Sequence, residues 1–217
     1  MGISGSTLKL IAIFSMFIDH IAAMFLAKQE YELLYIIGRN LGRLAFPIFC
    51  FLLVEGFVHT KNLRKYSKNL FLFGLISEIP FDLAFFHKVY EPLYQNVFFT
   101  LAVGLVVLLG ISKWRENIWL VIGTVFTGCI FSILINCDYS YIGVLMIVFF
   151  YWFYNNPQLK YVSIAILNGI FQPFAILALI PIYFYNGKRG MGVKYIFYYF
   201  YPVHLLLLAF LYQWFGQ

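Results

Sequence analysis

Long apolar runs separated by short basic loops constrain this chain more than any other feature. The runs fall at roughly 8–27, 33–59, 67–87, 96–112, 117–136, 140–154, 160–171, 173–185 and 195–215, about nine in all. A run of about 20 apolar residues is long enough to cross the hydrocarbon core of a bilayer as a helix. The rest of the composition agrees. A soluble domain carries about 25% charged residues, whereas this chain has 11%, with 63% hydrophobic residues. That leaves too little polar surface to face water. The runs are continuous rather than alternating, which points to helices and not to a barrel. The expected fold is therefore an all-α, polytopic, integral membrane helical bundle of about nine transmembrane helices, forming one domain over residues 1–217. The seventh and eighth runs are short and meet at Gln172-Pro173. They read either as shortened helices or as a re-entrant pair.

The loops set the orientation. With the N-terminus in the cytoplasm, the inner side receives Lys9, Lys61, Arg64, Lys65, Lys68, Lys113, Arg115, Lys160, Lys188, Arg189 and Lys194. The outer side receives Lys28 and Lys88. That asymmetry is the positive-inside rule, and the expected location is a plasma membrane, crossed several times. The net charge of +6 follows from these loops and gives no reason to expect a nucleic-acid partner; membrane lipid is the expected environment. Cys50, Cys129 and Cys137 lack metal-ligand spacing and read as small core hydrophobes, so no metal is expected.

Polar groups inside the runs are the candidates for function, since a central charge costs about 2.5–3.5 kcal/mol in a membrane helix. They include Asp19, His20, Arg39, Arg43, Glu78, Asp82 and His204, with Gln95, Asn96, Asn168 and Gln172. His20 lies twelve residues into the first run, about 18 Å from its inner end. Arg39 and Arg43, four apart, share a helix face, as do Glu78 and Asp82. Two readings compete. The arginines and carboxylates pair and hold helices together, or the set lines a wet cavity where a histidine does acid–base work. In the second reading a carboxylate fixes the imidazole's tautomer. Asp19 points about 100° away from its neighbour, so it need not be the partner of His20, and Glu78 and Asp82 from the third run are the other candidates. His59 and His87, at run ends, read as interfacial.

"HTKNLRKYSKN", His59 to Asn69, sets Lys61, Arg64, Lys65 and Lys68 at the inner surface. It serves either as a topogenic loop touching anionic lipid or as a site for the phosphates of a nucleotide-like cofactor. Pro47, Pro80, Pro173, Pro181 and Pro202 are expected to kink or end helices.

"FIDHIA", "GRLAFPIFCFLLVEGF", "ISEIPFDL", "QNVFFTL", "DYSYIGVLMI", "QPFAILALIPI", "YNGKRG" and "FYPVHLLLL", in that order, resemble the TraX family, whose type member is linked to N-terminal acetylation of conjugative pilin. The family resembles the transmembrane acyltransferases. In those, a basic residue precedes a catalytic histidine by eleven positions; Lys9 and His20 have that spacing. The resemblance implies an acetyltransferase using acetyl-CoA or a longer acyl-CoA. Lys9, Lys61, Arg64, Lys65 and Lys68 would hold the donor. His20 would be the base or the acyl carrier. Arg39 or Arg43 would stabilise the oxyanion, and Asp19, Glu78 and Asp82 would orient groups. Gln95, Asn96 and His204 would contact the acceptor, a peptide or a glycan. A homo-oligomer is compatible with this. The rivals are a small secondary transporter or proton-coupled channel, and a non-catalytic membrane assembly factor.

Overall fold

Apolar runs and helices coincide closely in the computed structural model, which describes residues 2–27, 29–192 and 194–215. Lys28, expected on the outer side, lies outside the described residues, as does the side chain of Lys194. The helices are α1 (Gly5–Phe25), α2 (Glu32–Gly42), α3 (Ala45–His59), α4 (Leu63–Phe85), α5 (Val97–Lys113), α6 (Ile118–Leu134), α7 (Ser140–Trp152), α8 (Pro157–Phe171), α9 (Leu179–Tyr183) and α10 (Lys194–Phe215). A short 3-10 helix, Gln29–Tyr31, leads into α2, and another, Pro173–Ala178, leads into α9.

Two runs depart from single straight helices, and proline accounts for both. The second run is two helices, α2 and α3, broken at Arg43 and Leu44. Pro47 lies in the first turn of α3. It has no amide hydrogen for the carbonyl of Arg43, and its ring crowds that carbonyl, so one continuous helix is excluded while a fresh start is tolerated. The eighth run begins as a 3-10 turn, with Pro173 at its first position. By contrast, Pro80 and Pro202 sit inside α4 and α10 without ending them.

The described side chains are sorted for lipid rather than water. Large apolar residues are exposed along α2 (Leu33, Leu34, Ile37, Leu41) and α6 (Ile122, Phe126, Ile130, Leu134). Polar residues are buried: Ser15, His20, Ser77, Asp82, Asn96, Thr100, Asn168 and His204. In water, apolar surface on this scale drives association, whereas in a bilayer it meets acyl chains, and the polar groups find partners inside the protein. The protein is a helical membrane protein.

The chain divides into two compact units. The first comprises Met1–Phe49, Ile79–Tyr90 and Asn168–Gln217; the second comprises Cys50–Glu78 and Glu91–Leu167.

In the first unit α1 packs on α2 and α10. The α1–α2 seam is built on Gly38 and Gly42, four apart in "GRNLGR". Small residues at that spacing let membrane helices approach closely. A methyl group on Gly38 would lie 2.6 Å from Ala22 Cβ, and one on Gly42 would lie 2.2 Å from Asp19 Cβ. Ser15 Oγ donates across the same seam to the Leu41 carbonyl at 2.6 Å. At the start of α1, Ser4 caps the helix by accepting from the Thr7 amide. The loop "YNGKRG" clamps that turn. Asn186 N donates to Ile3 O, Gly5 N to Lys188 O, and Ser6 N to Arg189 O, at 2.8–3.0 Å. Gly190 has φ +76, and a side chain there would strike the hydroxyls of Ser4 and Ser6.

In the second unit α5, α6 and α7 pack together. Asn96 caps α5 and Asn117 caps α6 through their side-chain oxygens, the ordinary remedy for orphaned amides at a helix start.

Candidate functional site

His20 projects from the C-terminal half of α1, and His204 from the middle of α10, in the first unit. Both are buried. Their facing nitrogens, His20 Nδ1 and His204 Nε2, are 2.8 Å apart. The ring centroids are 5.0 Å apart and the planes differ by 9°. A centroid separation so much longer than the nitrogen contact places the rings edge to edge in one plane, the favourable geometry for a hydrogen bond between them. The carbonyl of Phe200 accepts from His204 Nδ1 at 2.6 Å. Aromatic rings hold the pair. Phe200 lies parallel to His204 at 4.6 Å, while Phe17 and Tyr201 meet it edge-on. Phe85, at the end of α4, meets His20 edge-on at 5.3 Å.

One residue before His20, Asp19 turns toward α2. Its Oδ2 accepts from Arg39 Nη1 at 2.9 Å. The two side chains are 16% and 25% exposed, so water weakens the pair. Among the described residues Asp19 Oδ1 has no conventional hydrogen-bond partner. It rests against the bare Cα of Gly42, a weak C–H contact at best. Arg43, at the break after α2, is within electrostatic reach of Asp19. Asp82 is fully buried in the same unit, one turn before Phe86, whose amide donates to the Asp82 carbonyl.

The candidate partners of the His20 imidazole were carboxylates, Asp19, Glu78 or Asp82; the partner is a second imidazole. Glu78 belongs to the second unit, and its carboxylate accepts from the backbone amide of Asn96 at 3.0 Å and from the Asn96 side-chain amide. Asn96 Nδ2 also donates to the Gly74 carbonyl at 2.9 Å, and its Oδ1 accepts from Phe98 N at 3.0 Å. Asn96 has no exposed surface, so the expected contact with an acceptor has nothing to meet there. Gln95 Nε2 donates to the Pro92 carbonyl, and its backbone pairs with residues 136 and 138.

Lys61, Arg64, Lys65 and Lys68 are all exposed in the second unit. Asn62 Oδ1 accepts from the Lys65 amide at 2.8 Å and starts α4 there. Lys9 is half-buried on α1, eleven residues and therefore about 16 Å along the helix from His20. The clamped loop sets Lys188 and Arg189, both exposed, beside the first turn of α1. Neither residue was singled out for function from the sequence, although "YNGKRG" was a recognisable segment. Lys160, counted among the surface cations, is buried instead. Its Nζ lies 5.5–5.8 Å from the ring centroids of Phe51, Tyr154 and Tyr161, a cation–π cage. No group of three or more metal-ligating side chains occurs among the described residues.

Comparison with known proteins follows the same lines. Residues 4–212 match the family model described as TraX protein. A probable fimbrial assembly protein FimC, serogroup H1, of Dichelobacter nodosus is 34% identical, with 95% of this chain and 94% of that protein covered. No solved structure matches.

Proposed function

The chain belongs to the TraX family, and from that premise we propose that it is an integral membrane acyltransferase. It would move an acetyl or acyl group from cytosolic acyl-CoA to an amine or hydroxyl on an acceptor in, or outside, the membrane. The observation that carries this reading is the buried imidazole of His20, held by His204 in an apolar helix pair. A membrane helix bears the cost of such a group where the group has work to do.

The chemistry balances with the groups present. The acceptor nitrogen or oxygen attacks the thioester carbonyl as His20 takes its proton. The C–S bond then breaks, and the departing thiolate takes that proton from the imidazolium. Arg39 or Arg43 would stabilise the oxyanion, a role that contributes about 3–4 kcal/mol in other enzymes. Lys9 and the neighbouring Lys188 and Arg189 would meet the donor's phosphates at the α1 end of the first unit. A thin pantetheine arm suits the ~16 Å from Lys9 to His20 along the helix. In the second unit Lys61, Arg64, Lys65 and Lys68 are the candidates for donor phosphates. Neutralising Arg64 and Lys65 together should raise KM for acyl-CoA about tenfold and leave KM for the acceptor unchanged; an equal rise in both would refute that role.

The name of the relative, a fimbrial assembly protein, favours a fimbrial or pilin subunit as acceptor, and its N-terminal amine as the reacting group. The same name supports a second reading, a non-catalytic assembly factor. Purified protein in detergent, given labelled acetyl-CoA and a pilin-derived peptide, separates the two. Transfer of label to the peptide supports the acyltransferase; the absence of both binding and turnover supports the assembly factor.

A further inference from the structure

The two imidazoles fix where their protons sit. The Phe200 carbonyl 2.6 Å from His204 Nδ1 can only accept, so Nδ1 carries the hydrogen. With the ring neutral, His204 Nε2 then bears a lone pair and accepts. Its neighbour at 2.8 Å, His20 Nδ1, must donate. One nitrogen is left, His20 Nε2, with its lone pair free. Among the described residues that nitrogen has no hydrogen-bond partner.

We propose that His204 is a positioning residue that locks His20 in the Nδ1–H tautomer and so presents Nε2 as the reacting nitrogen. This assigns His204 a place behind the base rather than on the acceptor. The inference rests on the acyl-transfer reading of His20 and deepens it. An imidazole left to itself samples both tautomers, and only one of them has a basic Nε2. Serine hydrolases solve the same problem with a carboxylate behind the histidine; here a second histidine does it, anchored in turn by a main-chain carbonyl. The anchor is rigid. Phe200 and His204 lie on one helix with their rings parallel, and Phe17 and Tyr201 wall the other sides. During transfer Nε2 gains the acceptor's proton and returns it to the leaving thiolate. Throughout, His20 Nδ1 keeps its hydrogen and shares it with His204, which neither gains nor loses a proton.

The test combines nitrogen NMR with kinetics on the full-length protein in detergent. With 15N-labelled histidine, and His20→Ala to assign the signals, substrate-free protein should show His20 protonated at Nδ1 and bare at Nε2. His204→Leu removes the acceptor. Its His20 should lose the fixed tautomer, and kcat should fall about 100-fold with KM for acyl-CoA unchanged. His204→Gln supplies a carbonyl oxygen at a similar reach and should restore both the tautomer and most of kcat. A purely structural role would move neither the tautomer nor the split between kcat and KM. A wild-type signal showing His20 protonated at Nε2, or a His204→Leu protein with wild-type kcat, overturns the proposal. The nitrogen signals are read without substrate, so failure of the lock is distinguishable from failure of the acyl-transfer reading, which shows as wild-type protein without turnover.

Discussion

The His20–His204 pair in the first unit and the Glu78–Asn96 pair in the second are built from the same materials and differ in how completely they are satisfied. Each places polar side chains among apolar helices, the first joining residues 184 apart in sequence and the second residues 18 apart. At Glu78–Asn96 the hydrogen bonding closes on itself: Asn96 caps α5, ties to Gly74, and fills the Glu78 carboxylate twice. At His20–His204 the chain of hydrogen bonds stops one atom short, at a ring nitrogen. A closed polar set specifies packing. A set left open by one basic atom can do chemistry. Polarity inside the bilayer therefore does not identify a site by itself, and neither does an unfilled atom, since Asp19 Oδ1 is one too; an unfilled basic nitrogen does.

The largest expected effect breaks the open set. His20→Ala should abolish acyl transfer, a loss of at least 100-fold, with the protein still inserted and monodisperse by size exclusion. The ring meets its neighbours through one hydrogen bond and edge contacts, so stability should fall by roughly 1–3 kcal/mol without loss of insertion. Wild-type turnover in an inserted His20→Ala protein would end the distinction between the two sets.

Asn96→Ala should do the opposite. It removes a helix cap worth about 1 kcal/mol and leaves the half-buried Glu78 carboxylate and the buried Gly74 carbonyl short of donors, at roughly 1–3 kcal/mol more. Thermal stability in detergent should drop steeply, while the molecules that remain folded transfer acyl groups at the normal rate. A loss of rate per folded molecule would instead return Asn96 to the acceptor's path.

How much of this could be read from the sequence follows from the range of the interactions. Apolar runs are local, and they placed the helices within a few residues, from α1 through α10. Pro47 was marked as a helix breaker, and it breaks there. The polar residues were found by type, because Asp19, His20 and Arg39 stand out in apolar surroundings. Their pairing was not legible. His20 and His204 are 184 residues apart, and nothing local says that α1 and α10 are neighbours. Proximity in sequence was no guide, as the roughly 100° between helix neighbours foretold: Asp19 adjoins His20 yet pairs with Arg39 on α2. The Gly38–Gly42 spacing in "GRNLGR" was a local signal of close helix approach that was not singled out from the sequence, and it does not name α1 as the partner at the seam.

That seam supplies a smaller test in the first unit. Gly42→Ala puts a methyl group 2.2 Å from Asp19 Cβ, so α1 and α2 must part or Asp19 must turn. A cost of about 1–3 kcal/mol is expected, with the Asp19–Arg39 contact disturbed and His20 shifted only through the helix. Stability should fall more than activity. A catalytic loss as deep as that of His20→Ala would assign the oxyanion role to Arg39 rather than to Arg43.

The smallest effect tests how tightly the second unit is sealed next to Asn96. Cys137 lies in the turn between α6 and α7, where Gln95 N donates to Asn136 O and Asp138 N donates to Gln95 O. The thiol is buried at 2% exposure. Burial pushes its pKa up to about 11, against the opposing pull of a Thr100 hydrogen bond. A thiol acid raised to that value is only about one-thousandth thiolate at pH 8. In a protein with Cys50 and Cys129 replaced by alanine, a maleimide should therefore label Cys137 slowly at pH 8. The rate should rise about tenfold per pH unit toward 11 and should not respond to acyl-CoA. Asn96→Ala should speed labelling, because loosening the α5 cap frees the strand of backbone that Gln95 holds against Cys137. Fast labelling of the intact protein would mean the turn opens on its own, and the contrast between a sealed set and an open one would then rest on the histidines alone.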